Sequence, residues 1–333
     1  MSVDALELEQ ITDRLIEHIR EKPGGFFDHA RLAAFLGVDV EILNEAIRAA
    51  ASWDYKLRVR KSKGVAFLSA PDSLTATEIW YGLKTKWLGH RVSSFQSVKS
   101  TNNMAVQLAE SGAADGEIVT AEQQTGGRGR LGRSWHSPPG AGIYMSIILR
   151  PFLKPEEAPG LSIMAAVALA DTMSEYCPGS VQIKWPNDVL IKDRKAAGIL
   201  TELSADRGTV NHVVIGVGIN VNHRSSDFPP ELRKIATSLR RVTKHKIHRV
   251  EFLQRFLCHL ERRYESYLDH RLAKSLPAIQ AYSSLTGKEI TVKVGRSLTV
   301  GVVKEIDADG RLMMRVGDRI VPVTAGEVTI VKK

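Results

Sequence analysis

Near the start of the chain, apolar residues recur at helical spacing, Leu8, Ile11, Leu15, Ile16 and Ile19, until Pro23-Gly24-Gly25 ends the pattern. Asp28 predicts the N-cap of a short second helix with Leu32, Phe35 and Leu36 inward. Gly37-Val38-Asp39 turns into a third helix on Ile42, Leu43, Ala46 and Ile47. This order reads as helix-turn-helix. KLRVRKSKGVAFL, residues 56–68, predicts two short strands about a basic turn, the wing of a winged helix-turn-helix. Ala70-Pro71-Asp72-Ser73 reads as a linker. From Thr77 to about Leu285 helix and strand signals alternate. Helices are expected on Ile79, Trp80, Leu83 and Trp87, after Ser100-Thr101-Asn102, over 161–176 and over 250–268; strands are expected at 117–124, 143–150, 181–184, 198–204 and 213–221. Helices should therefore cover a mixed sheet. From Thr286, the runs ITVKV, LTVGVVKEI, RLMMRV and IVPV are separated by Gly295, Asp309-Gly310 and Gly317-Asp318, and predict a small β-barrel.

Length agrees with this partition, since 333 residues suggest two or three domains. The formal net charge of +9 favours an anionic partner without choosing among nucleic acid, nucleotide and acidic protein. Cys177 and Cys258 stand far apart and in no metal-ligand spacing, which argues against a disulfide scaffold and a zinc site. The acidic start MSVDALELEQ does not resemble a signal peptide, and the longest apolar stretch, 163–170, is far short of the ~20 residues that span a bilayer. A soluble protein of the reducing cytoplasm is expected.

The N-terminal segment supports two readings. Arg58, Arg60, Lys61 and Lys63 on the wing can reach DNA phosphates. The third helix, where base-reading side chains are expected, offers Glu41, Asn44, Glu45 and Arg48, and two carboxylates facing phosphates repel them. A small helical domain that binds no DNA stands equally open.

The densest chemistry lies in GGRGRLGRSW, residues 126–135, with four glycines and three arginines in its first eight positions. Gly127 to Gly132 satisfies G-x-G-x-x-G, and Gly127 to Ser134 comes within one residue of a P-loop. Both motifs need a helix immediately afterwards to hold phosphate, and Pro138-Pro139-Gly140 forbids one. A kinase-type glycine loop lacks its lysine strand, H-R-D and D-F-G companions. What remains is a flexible cationic loop between two strands, covering an anion in a site built by the sheet; a merely solvated basic loop is the bland alternative. KWPNDVLIKDRKAAGIL (184–200) places Asn187 and Asp188 directly after a strand, and sends Lys195 into another apolar run. In VVIGVGINVN (213–222), Gly216 and Gly218 sit inside a strand, where glycine signals close approach of a ligand or backbone.

Taken together, GGRGRLGRSW, KWPNDV, DRKAAGILTE and GVGINVN, with Ser100-Thr101-Asn102 and Glu122-Gln123-Gln124 before them, resemble biotin protein ligase of the class with an N-terminal winged helix that also represses the biotin operon. The resemblance runs from about residue 8 to the C-terminus. It implies an α+β chain in three parts: a winged helix-turn-helix over 1–70, a class II aminoacyl-tRNA synthetase-like catalytic domain with a central mixed sheet over 71–285, and an SH3-like barrel over 286–333. It implies a ligase that forms a carbon–nitrogen bond. Biotin and ATP, with Mg²⁺ carried by the nucleotide and no protein-only metal site, give biotinyl-5′-AMP. The biotinyl group then passes to one lysine of a biotin carboxyl carrier protein. Operator DNA and a homodimer in the adenylate-bound state are the further implied partners.

The same resemblance assigns residues. Ser100, Thr101, Asn102, Gln124, Arg128, Gly129, Arg130, Lys195 and Gly198 are implied around biotin. Arg128, Arg130, Trp135, Asn187 and Asn220 are implied around the adenylate, and Arg128, Lys195 and Asp188 in catalysis. Leu131 stands where many relatives carry another arginine, so this loop carries less charge. Each role has a structural alternative: Trp135 as a core aromatic, Asn220 as a strand-end cap, Asp188 as a mere ion-pair partner, and Ser100-Thr101-Asn102 as the cap of the next helix. Two other functions stay in view: ligation of lipoate or octanoate, and a DNA-binding repressor that uses the ligase core to sense biotinyl-AMP.

Overall fold

The computed structural model describes residues 4–295, 297–324 and 326–330. The chain forms two compact units, Met1–Ser73 and Leu74–Lys333. In the first, helices α1 (Ala5–Arg20), α2 (His29–Leu36) and α3 (Val40–Ser52) precede an antiparallel hairpin of β1 (Lys56–Arg60) and β2 (Gly64–Ser69). Leu15, Ile16, Ile19, Leu32, Leu43, Ile47, Val65 and Phe67 form its core. Asp4, Asp28 and Asp39 accept the N-cap hydrogen bonds of the three helices in turn, and Gly37 ends α2 in the left-handed conformation. Phe35 departs from the expectation. It is 54% exposed and stacks on His18 at 4.0 Å, because the buried stripe of α2 runs through Leu32, Ala33 and Leu36.

The second unit opens with α4 (Ala76–Trp80), β3 (Val92–Val98), α5 (Thr101–Glu110), β4 (Ile118–Gln124) and β5 (Gly142–Leu149). It continues with α6 (Pro159–Tyr176), β6 (Val181–Lys184), β7 (Asp188–Ile191), β8 (Arg194–Asp206) and β9 (Thr209–Asn220). The helices α7 (Leu239–Thr243), α8 (Arg249–His270) and α9 (Leu276–Tyr282) follow. Strands β3 to β9 make one mixed sheet in the order β3-β4-β5-β9-β8-β7-β6, with β3 parallel to β4 and every other neighbour antiparallel. The expected helix through Leu83 and Trp87 stops at Trp80: Tyr81 leaves helical geometry and Gly82 takes φ +88°. Of the unexpected strands, β3 has no buried residue and β7 is only four residues long with three buried in succession, so neither carries a buried alternation.

Residues of β5, β8 and β9 alternate between the two faces of this sheet. On one face Ile147, Ile199, Val213, Ile215, Val217 and Ile219 pack in a single core with residues of α6 and α8. On the other, Ile148 and Val214 meet Ala105 and Ala109 of α5. The last strands, β10 (Glu289–Val294), β11 (Ser297–Ile306), β12 (Leu312–Val316), β13 (Arg319–Val323) and β14 (Glu327–Ile330), form a five-stranded antiparallel sheet within this second unit. Trp185 donates its indole N–H to the Gly310 carbonyl at 2.9 Å, joining the two sheets. Among the described residues no helix is long and apolar enough to cross a membrane.

Candidate active site

On the α5 face, β9 continues past Val214 as Gly216, Gly218 and Asn220. The ladder sets Ser146 and Leu200 beside Gly216, and Tyr144 and Gly198 beside Gly218. Where side chains would stand, there is a hollow. A Cβ on Gly216 would overlap the Asn102 carboxamide, and one on Gly218 would overlap the Trp135 indole. The strand glycines thus make room for two protein side chains that wall a cavity of about 800 Å³. Every site residue nominated by the motifs, from Ser100, Thr101, Asn102 and Gln124 to Arg128, Gly129, Arg130, Trp135, Asn187, Asp188, Lys195, Gly198 and Asn220, lines this one cavity. The cations Arg48, Arg58, Arg60, Lys61 and Lys63 are exposed in the first unit.

At the start of α5, Ser100, Thr101 and Asn102 are all buried. Ser100 occupies the N-cap position without a side-chain capping bond, so capping does not account for its hydroxyl. Gln124 Oε1 accepts from the Thr101 N–H at 2.9 Å and from its hydroxyl at 3.2 Å, while its amide donates to Ser137 at 2.9 Å. Asn102 Oδ1 accepts from Ser146 at 2.6 Å. Its amide donates to the Leu200 carbonyl at 3.2 Å and to Glu202 at 2.8 Å. A hydrogen-bonded polar wall of this kind fixes donor and acceptor directions.

The glycine-arginine loop joins β4 to β5, as the sequence predicted. It closes on itself through Gly129 N–H to Arg133 O at 2.7 Å and Trp135 N–H to Gly127 O at 2.8 Å. Leu131, at its tip, takes φ 56° and is 73% exposed. Arg130 donates to Asn187 Oδ1 at 3.1 Å and to the Gly326 carbonyl at 3.5 Å. Burial lowers its pKa from the ordinary guanidinium value, Asp188 opposes that shift and Arg133 adds to it. Arg128 reaches back across the sheet, one terminal nitrogen lying 2.9 and 2.8 Å from the two oxygens of Glu202. Trp135 is half-buried and its indole N–H has no hydrogen-bond partner among the described residues, unlike a settled core tryptophan.

Lys195 and Asp188 form an ion pair of 2.6 Å, and the ammonium lies 5.3 Å from the centre of the Trp135 ring. The backbone of Lys195 is clamped: its N–H donates to Ile235 O and its carbonyl accepts from Thr237 N–H, both at 2.9 Å. Asn187 holds the same region by donating to Ile199 O at 2.9 Å, and Asn220 donates weakly to Lys195 O at 3.5 Å. Sequence reasoning did not single out Ser146, Glu202, the clamp at 235–237 or Gly326. Glu202 closes the quoted DRKAAGILTE motif; Ser146 is one small polar residue inside an apolar strand and gives no signal of its own.

Deeper behind the cavity, His223 is fully buried, stacks on Phe228 at 5.0 Å, and sits 3.4 Å from the Tyr144 hydroxyl. Burial, helped by His136, pushes its pKa down to about 4, so it is neutral at ordinary pH.

Residues 94–220 match the model of the biotin/lipoate A/B protein ligase family. The chain is 33% identical over 316 residues to the bifunctional ligase/repressor BirA of Bacillus subtilis, covering 95% of this chain and 97% of that protein. It is 37% identical over 236 residues to the biotin--[acetyl-CoA-carboxylase] ligase of Mycobacterium tuberculosis, covering 69% of this chain and 85% of the relative. The solved structure of biotin protein ligase from Aquifex aeolicus in complex with biotin and ATP superposes with a TM-score of 0.63 at 26% identity, over 73% of this chain and all of that one. This chain belongs to the biotin protein ligase family.

Proposed function

We propose that the chain is an ATP-dependent biotin protein ligase, and that the residues lining the cavity carry both half-reactions. One observation carries the reading: a single cavity is lined both by hydrogen-bonding groups, Ser100, Thr101, Asn102 and Gln124, and by cations, Arg128, Arg130 and Lys195. Paired polar groups select a polar ring over a plain acyl chain, because an apolar ligand would leave them unsatisfied. That distinguishes biotin from the acyl substrates of lipoate and octanoate ligases.

In the first half-reaction a biotin carboxylate oxygen bonds to the α-phosphorus of MgATP and pyrophosphate leaves. Negative charge gathers between two groups that repel one another. Arg128, Arg130 and Lys195 offset it, and Lys195 is placed for this by its clamped backbone and by Asp188. Asn187 and Asn220 hold the adenylate, and Trp135 flanks it. In the second half-reaction the amine of the carrier's lysine bonds to the acyl carbon and AMP departs; Asp188 orients the amine and takes its proton. The glycine-arginine loop folds over the mixed anhydride and excludes water.

Purified protein should exchange labelled pyrophosphate into ATP only when biotin is present, and transfer labelled biotin to the lysine of an acceptor domain. Absence of biotin-dependent exchange refutes the reading, and equal competition by lipoate favours the acyl-ligase alternative.

A second role is favoured by the match of bifunctional ligase/repressors along nearly the whole chain. On this reading the first unit is a winged helix-turn-helix, the exposed Arg58, Arg60, Lys61 and Lys63 on and beside the hairpin meet phosphate, and Arg48 adds to them. The exposed Glu41 and Glu45 on α3 limit its contact with DNA. The adenylate-bound protein is a homodimer, the strands after 286 form an SH3-like barrel and the setting is the cytoplasm, where Cys177 and Cys258 stay free. A gel shift on the organism's biotin-gene promoter, dependent on biotin and ATP and selective against unrelated DNA, supports repression; binding that is only salt-sensitive rejects it.

A further inference from the structure

Glu202 is an acidic group that touches both the polar wall and the glycine-arginine loop. It faces the α5 side of β8, two residues beyond Leu200 and four beyond Gly198, yet does not itself line the cavity. One of its oxygens accepts from Asn102, on the polar wall, at 2.8 Å. Both oxygens accept from Arg128, on the loop. The side chains of Arg128 and Glu202 are 43% and 32% exposed, so the ion pair is weak and open to exchange. Arg128 can therefore leave Glu202 for a stronger anion. Asn102 is fixed on the wall by three contacts together, with Ser146, the Leu200 carbonyl and Glu202.

We infer that Glu202 is a positioning residue and an exchangeable counter-ion: it holds Arg128 against the polar wall until the ligand's own anion, first the carboxylate and then the phosphate of the adenylate, takes its place. This deepens the biotin ligase reading and rests on it. Two consequences separate it from a purely structural role. Removing the charge of Glu202 while keeping its shape and acceptor oxygen frees Arg128 and strengthens the binding of anionic ligands. A neutral ligand of the same ring system gains nothing, because Asn102 is still oriented.

The test is calorimetric titration of the full-length protein and of Glu202→Gln with two ligands: biotin, and biotinol, in which a neutral alcohol replaces the carboxylate. Glu202→Gln should bind biotin roughly three- to tenfold tighter than wild type and biotinol within about twofold of it. Added salt should reduce the gain for biotin alone. A Glu202→Ala variant, which also removes the acceptor for Asn102, should weaken both ligands. If Glu202→Gln changes biotin and biotinol alike, or changes neither, the counter-ion role is overturned. Wild type that binds neither ligand overturns the ligase reading instead.

Discussion

The floor of the cavity and the far end of the loop that borders it each hold glycine, for opposite physical reasons. On the floor, Gly216 and Gly218 lie in regular strand geometry, and each is needed because a side chain, Asn102 or Trp135, occupies the place of its Cβ. At the loop's far end Gly132 has φ +73° and nothing within 4 Å of a Cβ built on it. The first kind of glycine creates volume for a fixed wall; the second allows a turn. A cavity wall that must read a ligand needs rigidity, and a flap that must close over one needs permissive dihedrals. Sequence alone shows only that glycine is present.

The comparison can be broken by substitution, beginning with the floor. Gly216→Ala should displace Asn102, lowering biotin affinity about 10²-fold and stability by roughly 1–3 kcal/mol; isothermal titration and urea unfolding read the two effects. Lys195→Ala and Arg128→Ala, one from the clamped strand and one from the loop, should each slow biotin-dependent pyrophosphate exchange about 10²- to 10³-fold while leaving thermal stability nearly unchanged. Unaltered exchange rates remove both from the proposed chemistry. Gly132→Ala should cost only roughly 1 kcal/mol of local strain, visible as a few-fold slower exchange, with the affinity for biotin itself preserved. If Gly132→Ala proves as damaging as Gly216→Ala, the distinction between the two kinds of glycine fails.

A pH prediction sharpens the rigid side of the contrast. His223 is neutral when folded, with its pKa pushed down to about 4, and regains the ordinary value near 6.5 when unfolded. Between these values the unfolded chain binds a proton that the folded one does not, so stability falls as pH drops from about 6.5 to about 4. The loss reaches about 3 kcal/mol by the lower limit. Chemical unfolding at a series of pH values should show this slope, and His223→Gln should flatten it.

Legibility in the sequence followed the same division. Local signals carried α1 to α3, because apolar spacing, Asp caps and Gly37 are written within a few residues of one another. The apolar alternation of β9 also survived, and its two glycines announced a close approach, though by the side chains of Asn102 and Trp135 rather than by the expected ligand or backbone. What approached was not readable: Asn102 lies more than a hundred residues from Gly216, and only the order β5-β9-β8 brings them together. The helix expected through Leu83 and Trp87 failed because Gly82 turned the chain while both residues still packed against the core from a loop. Phe35 misled because ring stacking with His18 gives an exposed aromatic a partner at the surface. The motifs located the lining of the cavity well, since those polar and charged residues stand in a few short runs of the sequence. They were silent on the supporting contacts of Ser146 and of the 235–237 segment, whose signal is spatial.

The two-sided tether on the main chain of Lys195 limits what that position can tolerate. Paired in register with Leu190 of β7 on one side and hydrogen-bonded to Ile235 and Thr237 on the other, the main chain has little slack, and the ammonium reaches out only by turning about its own four-carbon stem. A longer, planar arginine head hung from the same immobile anchor overshoots a place that backbone movement cannot correct. Lys195→Arg should therefore keep the charge and still fail to restore the reaction.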